Sequence, residues 1–277
     1  MSLAFALFVG PALAQAATSP VLGAADSFTI LSGTYSNTTP GTTINGDLGY
    51  TTPPVTSPTV NGTTHVADAT YNQAGIDQGT ALSALNSQPC TFTFAPGAVD
   101  LASDTTHGAA GSYGPGVYCI SGAASIGGGA TITLTGAGTY IFRMTGSLTS
   151  SANSIIAVAG GGSACNVWWT PGAATTLGAN STFGGTVIDP SGITIGNTTL
   201  WTGRALAFGG TVTTDNDAIS SSACSAKGNQ AVGAAKNPGL PNTGGSQPVG
   251  SALTTDLILL GTFTSCLLAV RLAFKRV

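Results

Sequence analysis

Glutamate is missing from this chain altogether, and charged residues of every kind make up only 6% of its 277 positions. Solvent-facing helices depend on Glu, Lys and Arg, so a largely helical fold is not expected. The net charge of −3 is accompanied by no basic stripe, which argues against nucleic acid as a partner. No two of the five cysteines stand at C-x₂₋₄-C spacing and only His65 and His107 could join them, so a structural metal is not expected either. Catalytic groups are just as scarce. Between its two ends the chain offers nine Asp, Arg143, Arg204, Lys227, Lys236 and two histidines, with no Ser/His/Asp or Cys/His pattern. The pair Asp215 and Asp217 could carry acid–base chemistry or hold a cation, but it reads more simply as a polar strand-end turn. Asp47, in Asn45-Gly46-Asp47-Leu48-Gly49, suits bonding to backbone amides. Arg143 and Arg204 each lie in an apolar strand, where they would cover a loop or pair with an Asp. The expectation is a protein without cofactor that is not an enzyme.

What the chain does contain is glycine, forty of them, among runs of Thr, Ser and Val, the pattern of many short strands joined by turns. Such a polar but weakly charged surface meets partners through hydroxyls, amides and methyls. One segment breaks the pattern. Over residues 66–86 there is no proline, and Ala67, Tyr71, Ala74, Gln78, Ala81, Leu82 and Leu85 share one helical face. This predicts the one substantial helix, weakened by Gly75 and Gly79.

Past Cys165 the sequence repeats with a period of about 18 residues. Trp169, Val187 and Ala205 recur at that step, as do Phe183, Trp201 and Ile219, and Leu177 and Ile195 with their neighbours Thr176 and Thr194. Such a period makes one coil of a three-sided β-solenoid, about six residues per side, with alternate residues pointing inward. Gly184-Gly185, Gly209-Gly210 and Gly160-Gly161-Gly162 suit its corners. Residues 131–134, 140–142 and 154–156 also read as strands, but off the period, so the solenoid is expected to be interrupted by the helix and an N-terminal region.

The two ends read as addresses. Residues 1–16 pair an apolar run with Ala14-Gln15-Ala16, the form of a signal peptide cleaved after Ala16; no Lys or Arg precedes the run, so the true start is expected upstream. Residues 225–239 are small and aperiodic, a flexible linker. In 240–277, Leu240-Pro241-Asn242-Thr243-Gly244 precedes an apolar stretch over 257–270 and the basic residues Arg271, Lys275 and Arg276. This resembles the LPxTG sorting signal of Gram-positive cell-wall proteins. The apolar stretch would be a transmembrane helix that retains the chain only until cleavage. The resemblance implies a sortase that cuts between Thr243 and Gly244 and joins Thr243 to peptidoglycan, leaving a secreted, wall-anchored protein.

The domain between these ends, 17–224, is similar to the family of ice-binding proteins built on a discontinuous β-solenoid with one long helix packed along it. The residues that carry the resemblance are 45–49 and Pro115-Gly116-Val117-Tyr118, then Tyr140-Ile141-Phe142-Arg143 and residues 164–169, and finally Gly203-Arg204-Ala205-Leu206-Ala207 and residues 212–216. The resemblance implies a mostly β fold and binding to an ice crystal surface through a flat side rich in Thr, Ser and Asn. The residues that best fit such a side are Thr176, Gly178, Asn180, Ser181, Thr194, Gly196, Thr198, Thr211, Thr213 and Asn216, with Thr176, Thr194 and Thr213 as its central rank. The alternative is a wall-anchored adhesin or structural surface protein that binds a glycan or a neighbouring cell. Four cysteines in an exported domain favour two disulfides, with three pairings open. Cys90–Cys119 and Cys165–Cys224 are expected. The first would tie the end of the helix to the strand after the first Pro-Gly turn, and the second would stop the last coil fraying.

Overall fold

The computed structural model describes residues 16–221 and Cys224. The expected signal peptide (but for Ala16), the linker, the sorting signal and the apolar stretch over 257–270 lie outside the described residues. No helix among the described residues is long and apolar enough to cross a membrane.

Among the described residues, twenty strands, parallel wherever they pair, coil into a three-sided solenoid with one α-helix laid along it. Alternation drives the coiling, because each strand turns one apolar set into a shared interior and leaves the other set outside. From Val167 to Ser220 the coils keep the regular step read from the sequence. Trp169 pairs with Val187 and Val187 with Ala205, while Phe183 pairs with Trp201 and Trp201 with Ile219. The earlier coils are wider. Tyr118 pairs with Phe142 and Phe142 with Trp169, and the surplus sits at glycine-containing corners over 127–129, 136–138 and 160–162. Packed rings fill the interior: Phe142 stacks on Trp169 at 4.3 Å, and Phe183 meets Trp201 edge-on at 4.8 Å. Both of these indole N–H groups donate to a backbone carbonyl, Trp169 to Gly184 at 3.0 Å and Trp201 to Gly185 at 2.8 Å, so neither leaves a polar atom orphaned.

The chain does not wind from one end to the other. The N-terminal strand Phe28–Asn37 sits beside the last coil, pairing Ile30 with Ala205 and Ser36 with Thr213, and the strands that follow it build the solenoid's end. The helix Ala69–Asn86, about 27 Å at 1.5 Å per residue, then carries the chain along the stack, and the remaining coils wind back. Its N-cap is Asp68, whose carboxylate accepts the Tyr71 N–H at 2.8 Å. The helix therefore starts later than its periodicity suggested, and Ala67 stays outside it with φ +48°. Tyr71, Ala74, Ala81 and Leu85 form a second core with Leu31, Val117, Ile141, Trp168, Ile188 and Leu206, so the side under the helix is buried on both faces.

Both cystines join the expected pairs, Cys90–Cys119 and Cys165–Cys224. Arg143 covers a loop, donating to the carbonyls of Asn86 and Gln88 where the helix ends. Arg204, 2% exposed, pairs with Asp26 at 2.6 Å and donates to its carbonyl.

Candidate functional site

The helix covers one side of the solenoid, and among the described residues no α-helix covers the other two. On the second side, successive strands align one outward residue each into a straight rank. Ser36 pairs with Thr213, Thr213 with Thr194, Thr194 with Thr176 and Thr176 with Thr149. Thr149 pairs with Ser125, and Ser125 with Asp100, which ends the rank. Seven strands at 4.7–4.9 Å span about 29 Å. A second, partial rank runs beside it, with Thr211 opposite Thr34. Every inward neighbour in the middle of this side is closed off. Thr175 is 0% exposed and Leu177, Ile193 and Ile195 are each 1% exposed, while Thr149, Thr176 and Thr194 stand exposed. The outward set is therefore fixed by packing beneath it and covered by nothing among the described residues.

Buried polar groups hold the corners of this side. Asp189, fully buried, accepts the Thr175 hydroxyl at 2.7 Å and the Ser191 N–H at 2.9 Å, and burial raises its carboxyl above the ordinary value. At the opposite corner the Tyr35 hydroxyl meets that of Thr214 at 2.8 Å, and Asn37 accepts from Thr214 and Thr42. Burial pushes the Tyr35 phenol up to about 12. Asp217, 1% exposed, accepts the N–H groups of Thr199 and Asp215 at 2.8 and 2.7 Å, and burial pushes its carboxyl up to about 6. The pair Asp215 and Asp217 is thus a turn anchor at the strand end, with Asp217 facing inward and Asp215 bonded to Thr39.

The residues expected for the flat side divide by position. Thr176, Thr194 and Thr213 align as the central rank, and Thr211 lies beside it. Gly178 and Gly196 close the strands, where the next coil approaches so tightly that a Cβ on either would run into backbone of the coil before. Asn180, Thr198 and Asn216 lie one step further, with Asn153, as a ladder of left-handed corner residues at φ +57° to +63°. Ser181 is turned inside, 2% exposed, its hydroxyl donating to the Gly178 carbonyl at 2.7 Å, so it leaves the outer surface. Sequence reasoning missed Ser36, Thr34, Thr149 and Ser125. Thr149 and Ser125 lie on the wide coils that break the period, and Ser36 and Thr34 come from the inserted N-terminal strand.

The Ice-binding-like family model matches residues 30–220. A protein of Nostoc sp. (strain HG1), described as an ice-binding protein, is 32% identical over 226 residues, covering 77% of this chain and 78% of that protein. An ice-binding protein of Flavobacterium frigoris (strain PS1) is 29% identical over 199 residues, covering 67% and 71%. Among solved structures, the ice-binding protein of the Antarctic ascomycete Antarctomyces psychrotrophicus superposes with a TM-score of 0.60 at 28% identity, covering 73% of this chain and 98% of that one.

Proposed function

The chain belongs to the ice-binding-like family, and we propose that it binds ice through the second side of its solenoid. The observation that carries this reading is the rank Ser36–Thr213–Thr194–Thr176–Thr149–Ser125, in register, covered by none of the described residues and free of charge up to Asp100 at one end. A crystal of water presents a neutral lattice. A protein plane that matches it needs hydroxyls and methyls at a fixed pitch, without ions that impose their own hydration or long chains that blur the spacing. Threonine meets both needs, because its branched Cβ restricts the side chain. The glycan-binding alternative is less well supported, since no aromatic ring is exposed among the described residues to serve as a sugar platform.

The test is partitioning of the purified protein into slowly growing ice. Wild type is expected to enter the crystal. Thr194→Tyr is expected to lower the ice-bound fraction severely with little change in melting temperature, because the side chain faces solvent. Thr80→Tyr, on the exposed face of the helix, is expected to behave as wild type. If Thr194→Tyr partitions like wild type, the assigned side is wrong; if wild type never enters ice, the adhesin reading takes over.

We also propose that the domain is displayed on a cell wall. The support is Leu240-Pro241-Asn242-Thr243-Gly244 followed by an apolar stretch and basic residues in the order a sortase substrate needs. Peptidoglycan would then be the covalent partner, after transient retention in the membrane. Thr243→Ala is expected to move the protein from the wall fraction to the membrane fraction. A variant still released only by muralytic digestion would refute this.

A further inference from the structure

A cavity of about 610 Å³ opens beside the C-terminal end of the helix, at the corner where the helix side of the solenoid turns into the second side. It has the size of a small-molecule site, and the proposed ice contact does not use it. Its lining combines apolar groups such as Leu82 and Met144 with the hydroxyls of Thr145 and Thr170. Both cysteines of the Cys90–Cys119 cystine line it too. Among the described residues that line the cavity, Arg143 is the one charged side chain.

The Arg143 guanidinium divides its donors. Nη1 holds the carbonyls of Asn86 and Gln88 at the end of the helix. Nη2 turns to the cystine, 3.1 Å from Cys90 Sγ and 3.0 Å from Cys119 Sγ. A disulfide sulfur is neutral and gains little from a cation, whereas a thiolate gains much. A guanidinium at that distance therefore lowers the proton affinity of a thiol freed there. In disulfide exchange, a sulfur of lower proton affinity leaves faster. The two sulfurs also differ in access. Cys90 is exposed, while Cys119 is 9% exposed in the strand Gly116–Ile120. The sulfur open to attack is that of Cys90, and the one that departs, Cys119, does so against the guanidinium.

From this geometry we infer that Cys90–Cys119 is an exchange-active disulfide whose cavity admits a low-molecular-weight thiol carrying a carboxylate. The thiolate of such a molecule attacks Cys90 Sγ. The Cys90–Cys119 bond breaks, its electron pair goes to Cys119, and Cys119 remains a thiolate beside Arg143. The product is a mixed disulfide between Cys90 and the small molecule. A second thiolate attacks the small molecule's sulfur in that disulfide, which frees Cys90 as a thiolate that takes a proton from water. The small molecule leaves as its own disulfide, so two thiols supply the two electrons that reduce the cystine. The carboxylate follows from the charge of the cavity, because Arg143 draws anions in and no carboxylate in the lining competes. The fold outlasts the exchange, since Arg143 still holds the Asn86 and Gln88 carbonyls and the helix stays packed through Ala81 and Leu85.

The experiment exposes the folded whole protein, without denaturant, to mercaptoacetate, 2-mercaptoethanol or cysteamine, which carry a negative, no and a positive charge beside the thiol. Alkylation traps the products, and peptide mass mapping reads each cystine, with rates expressed per thiolate. Mercaptoacetate is expected to open Cys90–Cys119 before Cys165–Cys224 and to leave its adduct on Cys90, with the circular dichroism spectrum unchanged. The rate should fall from mercaptoacetate to 2-mercaptoethanol to cysteamine, about tenfold across the series, and salt should slow only the first. Arg143→Gln should slow mercaptoacetate about tenfold and erase the order of the three reagents, while Arg143→Lys keeps the order. The inference falls if Cys90–Cys119 opens no sooner than Cys165–Cys224, or only as the domain unfolds. It falls equally if wild type ignores the charge of the reagent. Should Arg143→Gln melt markedly earlier than wild type, the salt dependence of the wild-type rate decides alone: a mercaptoacetate rate indifferent to salt overturns the inference.

Discussion

Gly75 and Gly79 lie one turn apart on the same helix, and replacing each with alanine should change stability in opposite directions. Alanine exceeds glycine in helix propensity by about 0.8–1 kcal/mol, so each substitution starts with that gain. At Gly79 nothing stands within 4 Å of the added methyl, and the position faces solvent. The full gain of about 1 kcal/mol should appear, which for a domain of this size raises the melting temperature by roughly 2–4 °C. At Gly75 the methyl would fall well inside contact distance of the Phe208 ring. That ring cannot simply retreat, because it packs against Tyr71 at 5.0 Å and its backbone N–H is held by the Gln78 side chain at 3.1 Å. Overpacking of this kind costs about 1–3 kcal/mol. Gly75→Ala should therefore be neutral at best and destabilising by about 2 kcal/mol at worst, with a lower melting temperature the central expectation. Thermal unfolding followed by circular dichroism reads both variants. Equal rises in melting temperature would show that Phe208 yields freely and that the helix is not seated as described.

Thr198 is a β-branched residue at φ +60° in a ladder whose other members are Asn; Thr198→Asn should stabilise the domain by about 1 kcal/mol in a denaturant titration. Burial raises the Asp217 carboxyl from 3.8 to about 6, so its contribution to stability is complete below pH 3.8 and lost as pH rises through 6. The melting temperature of wild type minus that of Asp217→Asn should accordingly shrink between pH 4 and pH 7, and a difference that grows would contradict the burial argument. Removing the Cys165–Cys224 cystine, which spans 59 residues, by a double Cys→Ser change should cost about 4 kcal/mol by loop-closure entropy, read in the same titration.

The sequence is legible where the coils are uniform. Between Trp169 and Ile219 the step stays at 18 residues except for one of 19 from Thr194 to Thr213, so the paired residues could be read off directly, and so could the central rank of threonines. The wider coils before Trp169 hide the same geometry, because their extra residues sit at corners and shift the spacing without altering the pairing of Thr149 with Thr176. Ser36 was illegible for another reason: its partner Thr213 lies near the far end of the domain, and no local pattern announces that the first strand joins the last coil. Ser181 failed at a smaller scale. The left-handed residue at Asn180 resets the alternation, so a hydroxyl that would continue the outer face points inward instead.

The three sides divide the work of the fold. Under the helix both sets of side chains are buried, so Ile141 or Trp168 cannot change without opening a cavity. On the second side only the inward set bears on stability, and Thr149, Thr176, Thr194 and Thr213 are free to be chosen for what they meet outside. The choice is not uniform. Threonine occupies the middle of the rank and serine stands near its two ends, at Ser36 and Ser125. A hydroxyl alone would serve for solubility anywhere along it. What threonine adds is a methyl and a restricted χ1, so that little side-chain entropy remains to be lost when the surface meets a lattice. Rigidity is placed where a flat partner would make its longest uninterrupted contact, and is relaxed near the edges, where contact would end in any case.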